Sequence, residues 1–273
     1  MDSTNVVSDL AKLSLFTQDI AREAGALLKS RVGKIKSVDY KSAYNIVTDV
    51  DKASEALLIK TIKASYPEDG FLCEESGEEL SRKSKRRWII DPLDGTTNYT
   101  HSYPFFAVSI GVEEDGVMVL GVVYNPMVDE MFVGVRGGGA FLNETKLAVS
   151  KEPSLDNSLL ATGFPPDTVN NMHNNLESFK YLTNQCHGVR RDGSAALDLC
   201  FVAAGRLDGF WERKLAPWDV AAGSLIVEEA GGKVTNLEGG PLELASGNII
   251  ASNAKIHQQI IDGLEKVRQD IGH

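Results

Sequence analysis

Apolar residues recur every three or four positions near the amino terminus of the chain. From Val6 onward they align on one stripe, which predicts a long opening helix that ends near Gly33. The same spacing from Lys52 to Ser65 predicts a second helix. The segment NIVTDVD, residues 45–51, lies between them and is typical of a short strand or turn, with Asp49 as the cap of the second helix.

Short apolar runs that end in carboxylates follow the second helix. FLCEE, residues 71–75, and RWIID, residues 87–91, each predict a strand whose last residues are acidic. The polar stretch from Ser76 to Arg87 is typical of a mobile connection. Residues 105–149 then alternate apolar runs with turn signals, which predicts about four strands of an antiparallel sheet.

Helical periodicity returns in the second half of the chain, where it is interrupted by strand patterns. In chain order, the predicted elements are a helix at Met172–Leu182, a helix at Ser194–Ala204, a strand at 207–213, a helix at 218–231, a strand at 248–252 and a terminal helix from Ala254. Strands therefore cluster first and then alternate with helices, which predicts an α+β or layered α/β class. A change of sheet near residue 150 is a candidate subdomain junction.

The composition is that of an ordinary globular chain and narrows the choice of partners. The 273 residues are 42% apolar and 24% charged, which excludes a disordered or fibrous protein. The net charge of -10 repels nucleic acid and anionic lipid, so neither is expected as a partner. The same field repels a phosphorylated metabolite, so a site that binds one needs cations or backbone amides to reverse the local potential.

Cysteine spacing and targeting signals favour a cytoplasmic location. Cys73, Cys186 and Cys200 are widely spaced and odd in number, as is typical of a reducing compartment. The first residues carry acids where a signal peptide needs basic residues, and no stretch approaches eighteen uninterrupted apolar residues. An organellar protein with a removed transit peptide is the alternative.

The segment WIIDPLDGTTN, residues 88–98, concentrates the candidate chemistry. Three apolar residues place Asp91 at the end of a buried strand, and Asp94 returns three positions later, so two acids converge from an ordered support. Gly95 and Thr96 offer close backbone approach, amide donors and a hydroxyl, which suit a phosphate group. The competing interpretation is an ordinary Asp-Pro and Asp-Gly turn.

Acidic residues elsewhere favour a metal site over a turn. Adjacent Glu74 and Glu75 repel each other unless a positive group meets them. Asp219 lies near a predicted helix start, where partnership with the helix dipole is the alternative role. The sequence contains no P-loop, HExxH or paired CxxC motif, and its five histidines are scattered. Oxygen ligands therefore predict Mg²⁺ or Mn²⁺ rather than Zn²⁺.

Together these segments resemble the inositol monophosphatase family of magnesium-dependent, lithium-sensitive phosphatases. The resemblance covers nearly the whole chain and rests on motifs in the family's order: EES at 74–76, WIIDPLDGTTNY at 88–99, GSAA at 193–196, WDVAAG at 218–223 and EEAGG at 228–232. It implies a layered α-β-α-β-α sandwich, shared with fructose-1,6-bisphosphatases, as one catalytic domain over residues 1–273. It also implies a homodimer.

The resemblance implies a ligand set for two Mg²⁺ ions, which Mn²⁺ can replace. Glu74, Asp91 and the carbonyl of Leu93 resemble the ligands of the first ion. Asp91, Asp94 and Asp219 resemble those of the second ion, and Glu74 with waters resembles a weak third site.

Catalytic and substrate contacts follow from the same resemblance. Thr96 and Glu74 would orient the attacking water, Asp51 would pair with Thr96, and Lys41 resembles a family lysine near the metals. Gly95 and Thr96 would give amides to the phosphate. The full set of expected substrate contacts is Leu93, Asp94, Gly95, Thr96, Gly193, Ser194, Ala195, Glu212 and Asp219. One departure from the family is the pair of cations, Arg213 and Lys214, beside Glu212.

The implied activity is hydrolysis of inositol 1-phosphate to inositol and phosphate. Fructose-1,6-bisphosphatases, histidinol phosphatases and adenosine 3',5'-bisphosphate phosphatases share the metal motif, and Arg213 or Lys214 would receive a second phosphate in a bisphosphatase. An aspartyl-phosphate mechanism on Asp49 fails because Ala53 stands where that motif needs Thr or Val. A protein with a regulatory binding role is a third alternative.

Overall fold

The computed structural model describes residues 3–42, 45–81, 83–165 and 174–270, without the side chains of residues 3–8, 40–42 and 45. The helices in these ranges are α1 (Ser3–Arg31), α2 (Asp49–Ser65), α3 (Thr96–Thr100), α4 (Leu176–Thr183), α5 (Ala195–Ala203), α6 (Pro217–Glu229) and α7 (His257–Asp270). The strands are β1 (Val38–Ser42), β2 (Asn45–Thr48), β3 (Gly70–Cys73), β4 (Gly77–Glu79), β5 (Arg86–Asp94), β6 (Ala107–Glu114), β7 (Val117–Asn125), β8 (Glu130–Val135), β9 (Gly139–Leu142), β10 (Thr145–Lys146), β11 (Leu159–Thr162), β12 (Gly188–Arg190), β13 (Gly209–Glu212), β14 (Lys233–Thr235) and β15 (Ile249–Ser252). Among the helices in this part of the chain, none has the length and apolar character of a membrane span.

The strands form two large sheets and one small hairpin. The first sheet has eight strands in the order β10-β9-β8-β7-β6-β5-β3-β4, and the second has five in the order β12-β11-β13-β15-β14. The hairpin is β1 with β2. The first sheet ends at Lys146 and the second begins at Leu159, on either side of residue 150.

Helices separate and cover the two sheets. The apolar stripes of α1 and α2 pack on one face of the first sheet around Leu28, Leu58 and Ile110. Helices α5 and α6 fill the space between the sheets, and α4 and α7 cover the outer face of the second sheet. The α+β class and the layered α-β-α-β-α sandwich are therefore confirmed.

Three aligned glycines bring α6 onto the first sheet. Gly111, Gly121 and Gly134 occupy paired positions on β6, β7 and β8, and we call them the glycine row. A Cβ atom at Gly121 would lie 2.5 Å from the carbonyl oxygen of Ala222 in α6. A Cβ atom at Gly134 would lie 2.9 Å from Cα of Ile226. Hydrogen as the side chain thus lets the helix backbone lie directly on the strand backbones.

The predicted start of the second helix is wrong. Helix α2 begins at Asp49, three residues before Lys52, and its N-cap is Thr48 rather than Asp49. The Thr48 side chain accepts hydrogen bonds from the backbone N–H groups of Val50 and Asp51, and the Asp51 carboxylate accepts one from the Thr48 N–H. This reciprocal capping box stabilises the first turn and extends the helix upstream.

Local hydrogen bonding also changes other predicted boundaries. The stretch Ser76–Arg87, predicted to be a mobile connection, contains β4, which pairs antiparallel with β3. Helix α7 begins at His257 rather than Ala254, because the side chain of Asn253 accepts hydrogen bonds from the N–H groups of residues 255 and 256 and forms a turn there. Helix α4 begins at Leu176, and residues 172 and 173 of that predicted helix lie outside the described part of the chain.

Candidate active site

Two parallel strands deliver acidic side chains to one edge of the first sheet. Strands β3 and β5 pair in parallel with Cys73 opposite Ile90, and the N–H of Glu74 donates to the carbonyl of Ile90 at 3.2 Å. Glu74 therefore directly follows the end of β3 and lies beside Asp91 of β5. Strand β5 continues to Asp94 with a shift of register against β6 after Asp91. Such an irregularity redirects side chains at a sheet edge.

Asp94 is held by the start of α5. Its Oδ2 atom accepts hydrogen bonds from Ser194 Oγ at 2.5 Å and from the N–H of Ala196 at 2.8 Å. Ser194 is also the N-cap of α5, where its hydroxyl accepts from the N–H of Leu197. The first sheet and the helix layer behind it are thus joined through Asp94. The neighbouring acid Asp91 is fixed locally, because its Oδ1 accepts from the N–H of Leu93 at 2.9 Å.

Asp219 lies in the first turn of α6. Its Oδ2 accepts a hydrogen bond from the N–H of Ala216 at 2.7 Å, which caps the helix start. Its place in the first turn also fits the helix-dipole role predicted as the alternative for Asp219, yet the residue lines a cleft with Asp91 and Asp94. The glycine row holds the helix that carries Asp219 against the sheet that carries the other acids.

The gathered carboxylates repel one another electrostatically. Burial raises the pKa of Asp91 well above its usual range, and Glu74, Asp94 and Asp219 raise it further. Burial raises the pKa of Asp94 to about 6, although local hydrogen bonds oppose the shift. Burial likewise raises the pKa of Asp219, with Asp94 as the next cause. Protons or cations relieve this repulsion, and an all-oxygen donor set fits Mg²⁺ or Mn²⁺.

The argument for a cation rests on the oxygen donors of the clustered carboxylates and not on a preformed coordination geometry. Within the residues that the structure describes, no group of three His, Cys, Asp or Glu side chains is arranged to hold a metal ion by itself. The metal-ligand assignments for the carboxylates and for the Leu93 carbonyl stay predictions. Lys41 lies on β1, but its side chain is outside the described residues.

A buried acid lies behind Thr96. The Oγ1 atom of Thr96 is 2.9 Å from Oδ1 of Asp51 and 3.1 Å from the carbonyl oxygen of Leu93. Asp51 is fully buried, and its Oδ2 accepts hydrogen bonds from the N–H and hydroxyl of Thr48. Burial raises the pKa of Asp51, whereas the hydrogen bonds from Thr48 and Thr96 lower it. The structure thus brings together the two residues that the resemblance pairs.

Helix α2 also fixes two backbone segments of the site, which sequence reasoning missed. Glu55 is 4% exposed, and its Oε2 accepts a hydrogen bond from the N–H of Glu75 at 2.8 Å. Ser54 Oγ donates to the carbonyl of Pro92 at 3.0 Å. Both residues share the packed face of α2 with Leu58. The sequence signal for Glu55 and Ser54 was the position of two polar residues on the otherwise apolar face of α2.

A cleft of about 340 Å³ opens beside these acids. Every residue predicted to contact metal or substrate lines it: Glu74, Asp91, Leu93, Asp94, Gly95, Thr96, Gly193, Ser194, Ala195, Glu212 and Asp219. Asp51, predicted to act through Thr96, lies behind that residue instead of lining the cleft. The structure therefore gathers residues from four distant stretches of the chain.

The start of α3 forms one side of the cleft. Gly95 is its N-cap with φ of +90°, and a Cβ atom there would lie 3.0 Å from the carbonyl oxygen of Phe105. No side chain caps the first turn of this helix, which suits an anion as its partner. The side-chain amide of Asn98 donates to the carbonyls of Phe105 and Asp192, both at 2.7 Å, and so joins α3 to the loop before Gly193.

Glu212 forms the opposite side of the cleft at the end of β13. Its carboxylate lies against the backbone of Gly163, where any Cβ atom would overlap it. Burial raises the pKa of Glu212 to about 8, with Arg191 opposing and Asp94 adding to the shift. This position of Glu212 thus requires glycine at residue 163.

A buried amide network supports Gly163 from behind. The Asn175 side chain donates to Thr162 Oγ1 at 2.6 Å and to the Gly163 carbonyl at 2.8 Å, and it accepts from Trp211 Nε1 at 2.8 Å. Thr162 Oγ1 in turn donates to the Trp211 carbonyl at 2.5 Å. These hydrogen bonds connect β11 to β13 next to Glu212.

Two further charged residues of the cleft were missed from the sequence. Asp198 of α5 and Arg191 both line it, as do the predicted cations Arg213 and Lys214. The signal for Asp198 was a single acid within the apolar helix AALDLCFVA. Arg191 lies over Gly193, because a Cβ atom built on Gly193 would be 2.8 Å from a guanidinium nitrogen of Arg191.

Comparisons with known proteins support one family over almost the whole chain. The model of the inositol monophosphatase family matches residues 9–269. An inositol-1-monophosphatase of Synechocystis sp. is 45% identical over 263 residues, which cover 96% of this chain and 92% of that protein. The Nus factor SuhB of Escherichia coli strain K12 is 44% identical over 252 residues, which cover 92% of this chain and 94% of that protein.

Similarity of three-dimensional structure agrees with similarity of sequence. The solved structure of an inositol monophosphatase from Anabaena (Nostoc) sp. PCC 7120 aligns with a TM-score of 0.87 and 44% sequence identity. The alignment covers 94% of this chain and 97% of that one. The same arrangement of layers is thus present in a solved relative.

Proposed function

Because this chain belongs to the inositol monophosphatase family, we propose that it hydrolyses inositol 1-phosphate to inositol and inorganic phosphate. The family supports phosphate monoester hydrolysis in general, and the similarity to an inositol-1-monophosphatase supports this particular ester. The observation that carries the proposal is the meeting of Glu74, Asp91, Asp94 and Asp219 at one cleft beside the start of α3. One catalytic domain over residues 1–273 is part of the proposal, since both large sheets contribute to that cleft.

The proposed cofactor is Mg²⁺, with two ions per site, a weak third ion, and Mn²⁺ as a substitute. Glu74, Asp91 and the Leu93 carbonyl would hold one ion, and Asp91, Asp94 and Asp219 would hold the other. Bound ions would supply Lewis-acid activation of water and would neutralise charge on the phosphate oxygens and the departing alkoxide.

The protein's own groups would position and deprotonate the attacking water. Asp51 accepts the hydroxyl proton of Thr96 at 2.9 Å, which leaves a lone pair of Thr96 Oγ1 to accept a hydrogen bond from water. Glu74 would accept the proton that this water releases. Backbone amides of Gly95 and Thr96 would orient the phosphate for in-line displacement. No covalent enzyme intermediate is required.

Phosphate release from inositol 1-phosphate tests the proposal. We expect release with Mg²⁺, none after chelation with EDTA, and inhibition by Li⁺. Asp94→Asn is expected to lower turnover at least ~100-fold while the protein stays folded, because a carboxylate in direct contact with the reacting charge is lost. Asp262→Asn on the exposed face of α7 is the matched control and should keep full activity.

Two results would overturn the proposal. One is full Mg²⁺-dependent activity in the Asp94→Asn variant. The other is a preference for a different ester at fixed Mg²⁺, which a panel of fructose 1,6-bisphosphate, histidinol phosphate and adenosine 3',5'-bisphosphate measures. The homodimer also stays a prediction, and light scattering on the purified chain measures it.

A second candidate is a Nus-factor role, which the similarity to Escherichia coli SuhB favours. The acids predicted for turnover are all present in this chain, so a Nus-factor role would exist beside turnover and would not replace it. The two functions can be separated by complementation, in which this chain is expressed in Escherichia coli cells that lack their own SuhB. Rescue by both the unchanged chain and its Asp94→Asn variant would support a role independent of turnover, and rescue by neither would reject it. The expectation of no nucleic-acid partner stays a prediction.

A further inference from the structure

Asp198 is a buried acid that the proposed reaction does not use. The residue is 2% exposed, and its Oδ1 atom is buried without a hydrogen-bond partner. An unpaired buried carboxylate oxygen destabilises a fold, and α5 is otherwise apolar, so alanine or asparagine would cost less here. A buried polar group without a protein partner calls for another explanation, and Asp198 lines the cleft.

Asp198 belongs to a cluster of three charged side chains at the cleft. Glu212 and Arg191 are its other members, and we call the three residues the polar wall. Burial raises the pKa of Asp198 well above its usual range, Asp192 and then Glu212 raise it further, and Arg191 opposes the shift. The polar wall therefore presents two hydrogen-bond acceptors beside one planar donor.

The chemistry of the polar wall suits hydroxyl groups. Arg213 and Lys214, the two cations predicted as alternatives for a second phosphate, line the same cleft, and the ester panel above measures whether a bisphosphate is preferred. Neighbouring hydroxyl groups are neutral, donate to carboxylates and accept from a guanidinium, so they match all three members of the wall.

We infer that Asp198 is a specificity-determining residue that binds hydroxyl groups of the substrate's leaving group together with Glu212 and Arg191. The inference rests on the proposed function and deepens it, because it assigns a buried acid of α5 to the hydroxyl groups of the leaving group. Asp198 stands apart from the reacting phosphate in this assignment.

Comparison of two esters tests the inference with Asp198→Ala in the full chain. Inositol 1-phosphate has a polyhydroxylated leaving group, whereas p-nitrophenyl phosphate has none of these hydroxyls. We expect the variant to lower kcat/KM for inositol 1-phosphate about 10- to 100-fold, the range for loss of a hydrogen bond to a charged group. For p-nitrophenyl phosphate, kcat/KM should change less than about threefold. Asp198→Asn should give the same contrast with a smaller loss, and serves as the second variant if Asp198→Ala does not fold.

A thermal unfolding measurement separates this role from a structural one. Removal of an unpaired buried acid should leave Tm unchanged or raise it. The control is Asp262→Asn on the exposed face of α7, which lies outside the cleft and should leave both kcat/KM values unchanged. Equal losses on both esters, no loss on either ester, or a lower Tm together with lower activity would overturn the inference. Failure of the unchanged protein to hydrolyse either ester would instead overturn the proposed function and this inference with it.

Discussion

Substitution of Gly121 by alanine tests whether the glycine row positions the helix that carries Asp219. The added Cβ atom would lie 2.5 Å from the Ala222 carbonyl oxygen and 3.0 Å from its Cα. Ordinary contacts between such atoms are about 3.5 Å, so α6 or β7 must move by roughly 1 Å. Neither neighbour is a flexible side-chain end, because both contacting atoms belong to the helix backbone.

The magnitude follows from two opposing terms. Overpacking of a well-packed interior costs about 1–3 kcal/mol. A glycine-to-alanine change also reduces the conformational entropy of the unfolded chain, which stabilises the fold by about 0.4–1 kcal/mol. Because both contacts are with helix backbone, the overpacking cost should lie in the upper part of its range, about 2–3 kcal/mol. The net destabilisation of Gly121→Ala is therefore about 1–2.6 kcal/mol, which lowers Tm by roughly 2–10 °C in a chain of this size. Displacement of Asp219 by a similar distance should lower kcat/KM about tenfold or more.

Calorimetry and phosphate-release kinetics measure the two effects. Gly188→Ala on β12 is the matched control, because its Cβ atom would meet the flexible end of Arg190 at 3.3 Å instead of a backbone. The control should stay within about 0.5 kcal/mol of the unchanged protein. The reasoning is refuted if Gly121→Ala keeps the original Tm, or if both alanine variants lose the same stability.

Two other predictions concern buried polar residues. Glu55→Ala should raise the Mg²⁺ concentration for half-maximal activity about tenfold, because the N–H of Glu75 loses its acceptor beside Glu74. Glu55→Gln keeps an acceptor for this N–H and should retain most activity. Equal loss of activity in both variants would contradict the prediction. His257 is buried between Thr235 and Ser252, and burial followed by the charge of Lys233 lowers its pKa to about 4 from 6.5. The unfolded chain takes up this proton first, so the free energy of unfolding should fall as the pH drops from 6.5 towards 4. Urea unfolding across this range should show the fall in the unchanged protein and a weaker one in His257→Gln, and identical pH dependence in both would contradict the assignment.

Elements with a long regular pattern were predictable from the sequence. The apolar stripes of α1 and α2 repeat over many turns, so periodicity alone identifies them. Strands of three residues such as β4 and β14 carry too few positions to show alternation. Their existence depends on pairing with β3 and β15, which are contacts between separate segments.

The acids of the candidate site were predictable for a different reason. Asp91 and Asp94 lie in the last residues of the buried strand β5, and the positions of such acids depend on short local motifs. Glu55 and Asp198 carry no such motif, because a lone acid on a helix usually faces solvent. Their burial depends on which face of α2 or α5 packs against the sheets, and this appears only with the tertiary structure.

The side-chain amide of Asn98 fixes a length within the cleft. It is bonded to the carbonyl of Phe105 and to that of Asp192, so the helix beside Gly95 and the loop that carries Arg191 keep a constant separation. Under the proposed function, one side chain thus ties the expected phosphate contacts of α3 to the loop that carries Arg191.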